Sequence, residues 1–139
     1  MEDVFSEQAT SYWVIDLDWY EQNRRSFIES ARRSLCSKCN EKLQKKKKKA
    51  TLDDVLGSIT DCCAKTPDYI TRKTPVMESI FRILLANGNQ PLNAGEIGKQ
   101  LSERRGDNTY TALPHILTRL LTNDHWYGFK QVSKDNKPG

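Results

Sequence analysis

The 139-residue sequence predicts a mainly α fold in which a helical, cysteine-containing N-terminal region precedes a small winged helix-turn-helix. Two observations carry this. Apolar side chains recur at helical spacing behind a series of N-cap residues, and the last of these helices runs into an aromatic stretch that alternates as a returning strand does. The expected divisions are an acidic arm over residues 1–17, a helical region over 18–70, the winged helix over 74–132 and a polar tail over 133–139.

The arm has no periodicity before Tyr12-Trp13-Val14-Ile15-Asp16-Leu17, which reads as a short strand or as an extended segment packed on the domain. Asp18 with Glu21 has capping-box spacing, and Tyr20, Phe27, Ile28, Ala31 and Leu35 then trace one face of a single helix. Arg24, Arg25, Arg32 and Arg33 fall away from that face. They form either a solvated surface or one that grips phosphate, whose oxygens match the guanidinium fork. The helix is expected to end at Cys36-Ser37-Lys38-Cys39, followed by a flexible loop from Lys42 through Lys45, Lys46, Lys47, Lys48 and Lys49. Thr51 and Asp54 cap the next helix, which turns Leu52, Val55, Leu56 and Ile59 inward and ends at Cys62-Cys63.

Four cysteines in a chain whose N-terminus is acidic rather than basic and apolar suit reduced thiols or metal ligands better than a disulfide framework. The Cys36-x-x-Cys39 spacing lets one chain reversal aim two sulfurs at one ion, and Cys62 and Cys63 supply enough further thiolates for a structural, tetrahedral zinc site. Adjacent helical residues point about 100° apart, so both ligate one ion where the helix unwinds, as Pro67 nearby would favour. The competing reading places Cys62 or Cys63 in the core, three or four residues after Ile59.

Thr66-Pro67-Asp68 and Lys73-Thr74-Pro75 mark the connection into the second half, with Tyr69 and Ile70 free to pack between the two. Thr74-Pro75 supplies an N-cap and a first-turn proline for a helix bearing Met77, Ile80, Phe81 and Leu84, closed by Asn87-Gly88. Leu92 belongs to a short strand. Asn93 and Glu96 cap the next helix, Leu92 and Ile97 form its hydrophobic staple, and Arg104-Arg105-Gly106 ends it. A third helix over about residues 109–123, starting nearer Thr111 because of Pro114, buries Tyr110, Leu113, Ile116, Leu117, Leu120 and Leu121. Its other face carries Thr111, His115, Thr118, Arg119 and Thr122. Residues 125–132 then read as the returning strand.

The run Glu78-Ser79-Ile80-Phe81-Arg82-Ile83-Leu84, then Pro91-Leu92-Asn93-Ala94-Gly95-Glu96-Ile97, then Trp126-Tyr127-Gly128-Phe129 resembles the winged helix-turn-helix of the HARE type. That family is associated with chromatin factors, restriction enzymes and an RNA polymerase accessory subunit. The resemblance implies a non-catalytic adaptor or DNA-contacting module. One wing strand and no long basic wing are expected here.

Charge is unevenly distributed: residues 1–23 are net −6, 24–49 are +9, 50–70 are −3 and 71–139 are +4. A +9 segment beside a −6 segment either complements it within the chain or meets an anionic partner. In a complex with DNA or RNA, Arg24, Arg25, Arg32, Arg33 and the lysines over 45–49 would contact phosphates, joined by Arg104 and Arg105. Thr111, His115, Thr118 and Arg119 would face base edges. The alternative is a protein-interaction module, since the third helix is less basic than a typical recognition helix. No Gly-rich phosphate loop, Gly-x-Ser-x-Gly elbow or His-Glu-x-x-His appears, and the histidines lie apart from the cysteines, so no enzyme is expected. No apolar run nears the roughly 20 residues that span a bilayer, and a cytoplasmic protein is expected.

Overall fold

The N-terminal arm enters the middle of a three-stranded sheet. In the computed structural model, which describes residues 11–45, 49–106 and 113–133, β1 (Tyr12–Ile15) lies between β2 (Leu92–Asn93) and β3 (Phe129–Val132). Both neighbours are antiparallel to it, with Trp13 opposite Leu92 on one side and Gln131 on the other. Trp13, Val14 and Ile15 are all buried. Successive strand residues face opposite sides, so β1 is covered on both faces, which explains its unbroken apolar run.

Helices α1 (Leu17–Gln22), α2 (Phe27–Arg32), α3 (Ser37–Gln44) and α4 (Leu52–Asp61) follow, then a 3-10 turn at Cys63–Lys65 and α5 (Val76–Ala86). Helix α6 (Ala94–Arg105) follows β2, and α7 (Pro114–Asn123) precedes β3. One continuous core joins β1, α1, α2 and α4 to α5, α6 and α7 through Ile15, Tyr20, Val55, Ile59, Ile80, Leu84, Ile97, Leu101, Leu117 and Leu121. Tyr69 and Ile70 are buried within it. A chain of ring contacts from Trp19 through Tyr20, Phe27, Phe81 and Tyr127 to Phe129 links the N-terminal helices to the C-terminal strand.

Several caps act where the sequence places them. Thr51 and Asp54 exchange both bonds of a capping box at α4, at 3.1 and 2.9 Å, and Asn93 accepts the Glu96 N–H at 2.8 Å. Gly106 ends α6 in the left-handed conformation that glycine adopts at least cost.

Elsewhere the structure corrects the expectation. The single helix from Asp18 to Leu35 is two, because Asp16 caps α1 and Ser26 opens a second helix by accepting the Glu29 N–H at 3.2 Å. Between them the Asn23 carboxamide donates to Trp19 O at 2.7 Å and Arg24 takes φ 55°. Short polar side chains that bond their own backbone compete with helix continuation. The apolar spacing hides this break, since Tyr20, Phe27 and Ala31 are buried on both sides of it.

Cys36-x-x-Cys39 begins a helix rather than ending one. Cys36 is the N-cap of α3, and the expected loop from Lys42 is helical through Gln44 because Cys39 and Leu43, one turn apart, are both buried. Pro75, not Thr74, precedes the first turn of α5, while the Thr74 hydroxyl accepts the Thr71 N–H at 3.0 Å. Helix α7 starts at Pro114, so Leu113 lies ahead of the buried stripe and is 47% exposed rather than buried. The returning strand is shorter than expected, since the Asp124 carboxylate bends residues before it by accepting the Tyr127 and Gly128 N–H groups at 2.8 and 3.2 Å. Lys46, Lys47, Lys48, Tyr110 and Thr111 lie outside the described residues.

Candidate metal centre

Two pairs of cysteines, separated from each other by more than twenty residues of chain, meet at the junction of α3 with the end of α4. Cys36 caps α3 and Cys39 sits one turn into it, so both sulfurs lie at the same helix end. Helix α4 stops at Asp61. Cys62 takes φ −133° and ψ −64° as its C-cap, then Lys65 N and Thr66 N bond back to Cys62 O and Cys63 O at 3.0 and 3.2 Å in the tighter turn that leads to Thr66-Pro67. Cys62 and Cys63 are therefore not helical neighbours, and the 100° divergence that would separate their sulfurs does not apply.

The sulfurs of Cys36, Cys39 and Cys62 all lie within 4.8 Å of one another. Cys36 Sγ is 4.0 Å from Cys62 Sγ and 3.5 Å from Cys63 Sγ, and the Cys36 N–H donates to Cys63 Sγ at 3.1 Å. None is in a disulfide. A tetrahedral ion with Zn–S bonds of about 2.3 Å separates its ligand sulfurs by roughly 3.8 Å. The 3.5 and 4.0 Å separations bracket that value, so Cys36, Cys39 and Cys62 could hold an ion together, with Cys63 beside Cys36 as the candidate fourth ligand.

Their protonation follows from position. The Cys39 backbone N–H at the start of α3 draws the Cys36 thiol down to about 7, whereas burial pushes the Cys39 and Cys63 thiols above the ordinary range. Thiolates this close repel one another, and a divalent cation removes that penalty. An all-sulfur tetrahedral set suits zinc or iron rather than hard, oxygen-seeking cations.

Arginines brace the centre from behind. Arg82 Nη1 donates to Tyr69 O at 2.6 Å, the Tyr69 hydroxyl donates to Arg82 O at 2.5 Å, and Arg104 Nη1 donates to Ala64 O at 3.0 Å. The Arg82 and Arg104 guanidinium carbons lie 5.7 and 5.6 Å from the Tyr69 ring centre. These contacts pin the segment after Cys63 to α5 and α6. Sequence reasoning missed this role, for which Tyr69 so soon after the cysteines was the one local signal. A cleft of about 220 Å³ opens beside the cluster, lined by Arg33, Ser34, Cys36, Cys63, Tyr69 and Arg82 among others.

The residues predicted to contact nucleic acid, at phosphates or at base edges, divide into two groups. Arg25 lies with its guanidinium carbon 4.4 Å from the Trp126 ring and 5.3 Å from each of the Trp19 and Tyr20 rings, and it donates to Trp126 O. Arg104 is bonded to Ala64 O, and Arg105 donates to Thr74 O and, at 3.0 Å, to Arg72 O. Arg24, Arg33, Lys45, Lys49 and Arg119 are exposed, and Arg32, His115 and Thr118 are half-buried. Trp126, which sequence reasoning gave to a strand, is 61% exposed on the turn that Arg25 and Asp124 hold.

Among the described residues no helix is long and apolar enough to cross a membrane. A scan against protein-family models, a search of curated proteins and a search of solved structures each return no match.

Proposed function

We propose that the chain is a non-enzymatic nucleic-acid-binding module of winged-helix type, whose basic N-terminal helices are fastened to it by one structural zinc ion. Cys36, Cys39, Cys62 and Cys63 would hold the ion. The order α5, β2, α6, α7, β3 supports the winged-helix reading, with β1 taking the place beside β3 that a wing strand would otherwise occupy.

The observation that carries the reading is where the cluster sits. It joins α3, which lies within the +9 segment of residues 24–49, to α4 and the braced turn behind it. Arg24, Arg33, Lys38, Lys42, Lys45 and Lys49 of that segment are exposed, and Arg33 lines the cleft beside the cluster. A metal crosslink would fix α3, which carries Lys38 and Lys42, and neutralising phosphates releases their condensed counterions, a driving force that fades with salt. Metal analysis of the purified chain, with anisotropy titrations on random duplex and single strands at two salt concentrations, tests both parts. Zinc near one per chain and affinity that falls steeply with salt are expected; salt-independent or absent binding overturns the nucleic-acid assignment.

A second reading, a protein-interaction module, is favoured by Trp126. Arg104 and Arg105 are committed to backbone carbonyls, while an exposed tryptophan on a fixed turn is the kind of side chain that anchors protein interfaces. Stoichiometric capture of a protein partner by the wild type but not by Trp126→Ala, with no nucleic acid present, would favour it.

A further inference from the structure

We propose that Cys36 and Cys63 form an oxidant-sensitive pair, a modification site for hydroperoxides, and that its closure to a disulfide expels the metal. The proposal rests on the metal-centre reading above. The two sulfurs are 3.5 Å apart, closer than the 4.0 Å between Cys36 and Cys62, and a disulfide bond of about 2.0 Å needs an approach of only about 1.5 Å. The Cys36 N–H bonded to Cys63 Sγ already holds the two residues together.

The cleft, rather than exposure, separates this pair from the other two cysteines, since Cys62 is half-buried like Cys36. Cys36 and Cys63 both line the cleft of about 220 Å³, and Cys39 and Cys62 do not. That volume admits a molecule the size of hydrogen peroxide several times over, since a liquid water occupies about 30 Å³. Cys36 is half-buried and Cys63 fully buried, so the oxidant meets Cys36 first and Cys63 is placed to resolve it. Arg33 and Arg82 line the same cleft and offer N–H donors to a departing hydroxide.

The chemistry balances with a hydroperoxide as the oxidant. The Cys36 thiolate attacks one peroxide oxygen, the O–O bond breaks, hydroxide leaves, and Cys36 becomes a sulfenic acid. The Cys63 thiolate then attacks the Cys36 sulfur, the S–O bond breaks, and a second hydroxide leaves as the S–S bond forms. Two electrons pass from the sulfurs to the peroxide. Cys39 and Cys62 remain as two of the four ligands, too few for a closed structural site.

The test treats the full chain with hydrogen peroxide after its zinc content has been measured, then follows zinc release with a chromogenic chelator and maps disulfides by tryptic digestion. Cleavage after Arg33, Lys38 and Lys65 separates Cys36 from Cys39 and leaves Cys62 and Cys63 together, and fragmentation between these two assigns the bond. The expected result is one zinc released per disulfide, a Cys36–Cys63 linkage, and recovery of both with dithiothreitol and zinc. In Cys63→Ser the resolving sulfur is gone, so peroxide should leave a Cys36 sulfenic acid that dimedone traps, at least tenfold more of it than in the wild type. A linkage through Cys39 or Cys62, or release without a disulfide, overturns the proposal even if Cys63→Ser does not fold. Protein that carries no zinc before peroxide is added overturns the metal-centre reading instead, and that measurement is independent of the mapping.

Discussion

The Asn89 carboxamide takes up both backbone groups of Ile15, 74 residues away: Ile15 N donates to Asn89 Oδ1 at 2.8 Å, and Asn89 Nδ2 donates to Ile15 O at 3.0 Å. Asn89 is 3% exposed and stands at φ 56°, a conformation that asparagine tolerates better than most residues. It therefore fastens the end of the central strand to the turn that follows α5.

Removing that carboxamide strands a buried N–H and a buried C=O together. Each unsatisfied group costs about 1–3 kcal/mol, so Asn89→Ala should destabilise the fold by about 2–4 kcal/mol in urea unfolding. Asn89→Asp keeps an acceptor for Ile15 N and loses the donor, and should fall between. A midpoint unchanged by Asn89→Ala would mean that this bond does not anchor β1.

Gly128 meets the opposite side of the same strand end, where its carbonyl accepts Asp16 N–H at 2.7 Å. A Cβ there would stand 2.6 and 2.9 Å from two Trp19 ring atoms and 3.2 Å from Tyr20, at a φ of 70°. Left-handed backbone costs about 1–2 kcal/mol for a side-chain-bearing residue, and overpacking typically adds about 1–3. Gly128→Ala should therefore lose about 2–4 kcal/mol, and Trp19→Leu in the same chain should recover part of it. Additive losses in the double variant would show that the two positions are not in contact.

What the sequence reveals and what it hides divide along range. Caps at Thr51 and Asn93 are legible because donor and acceptor lie three residues apart. The break at residues 23–26 is local too, yet the buried stripe from Tyr20 to Ala31 continues across it and masks the cap at Ser26. Asn89 is invisible because its partner is a backbone, 74 positions distant, in a segment read as an arm. The cysteine centre was half legible: Cys36-x-x-Cys39 announces itself, whereas the meeting with Cys62 and Cys63 depends on α4 ending one residue before them. Arginine is the least legible of all, since nothing in the sequence separates Arg25, stacked between aromatic rings, from Arg24 beside it in solvent.

Loss of one thiolate should be felt by the whole fold. Cys39→Ser should empty the centre and lower stability by about 3 kcal/mol or more, roughly 10 °C in Tm for a chain of this size. Chelation of the wild type should reproduce the shift and leave Cys39→Ser unaffected. A wild type with four freely titrating thiols and no bound zinc would refute the centre.

The pH dependence of zinc affinity has a defined sign. Burial raises the Cys39 and Cys63 thiols, so both are protonated near pH 7 without metal and must release their protons to bind it. Lower pH opposes that release. The two protons from Cys39 and Cys63 alone imply that affinity tightens by at least about 100-fold per pH unit near neutrality, with Cys36, drawn down to about 7, adding to the slope below that pH. A competition titration with a zinc dye at pH 6.5, 7.0 and 7.5 measures it, and a flat profile would exclude these thiols as ligands.

Nucleic-acid affinity should follow the exposed cations and spare those spent inside the fold. Replacing the lysines over residues 45–49 by glutamine removes up to five phosphate contacts, and the logarithmic salt slope should flatten by about 0.9 for each one that is made. Arg119→Ala removes an exposed fork on α7 and should cost about 1–3 kcal/mol at a site whose base it reads, relaxing discrimination there. Arg104→Ala belongs to a different class, because its guanidinium bonds Ala64 O and lies over Tyr69. That change should lower Tm and loosen the metal centre while leaving the salt slope of the folded fraction intact. An unchanged slope in the glutamine variant returns residues 45–49 to the status of a linker. If Arg119→Ala also leaves duplex binding untouched yet abolishes capture of a protein partner, α7 is an interaction surface and the nucleic-acid reading of this face is wrong.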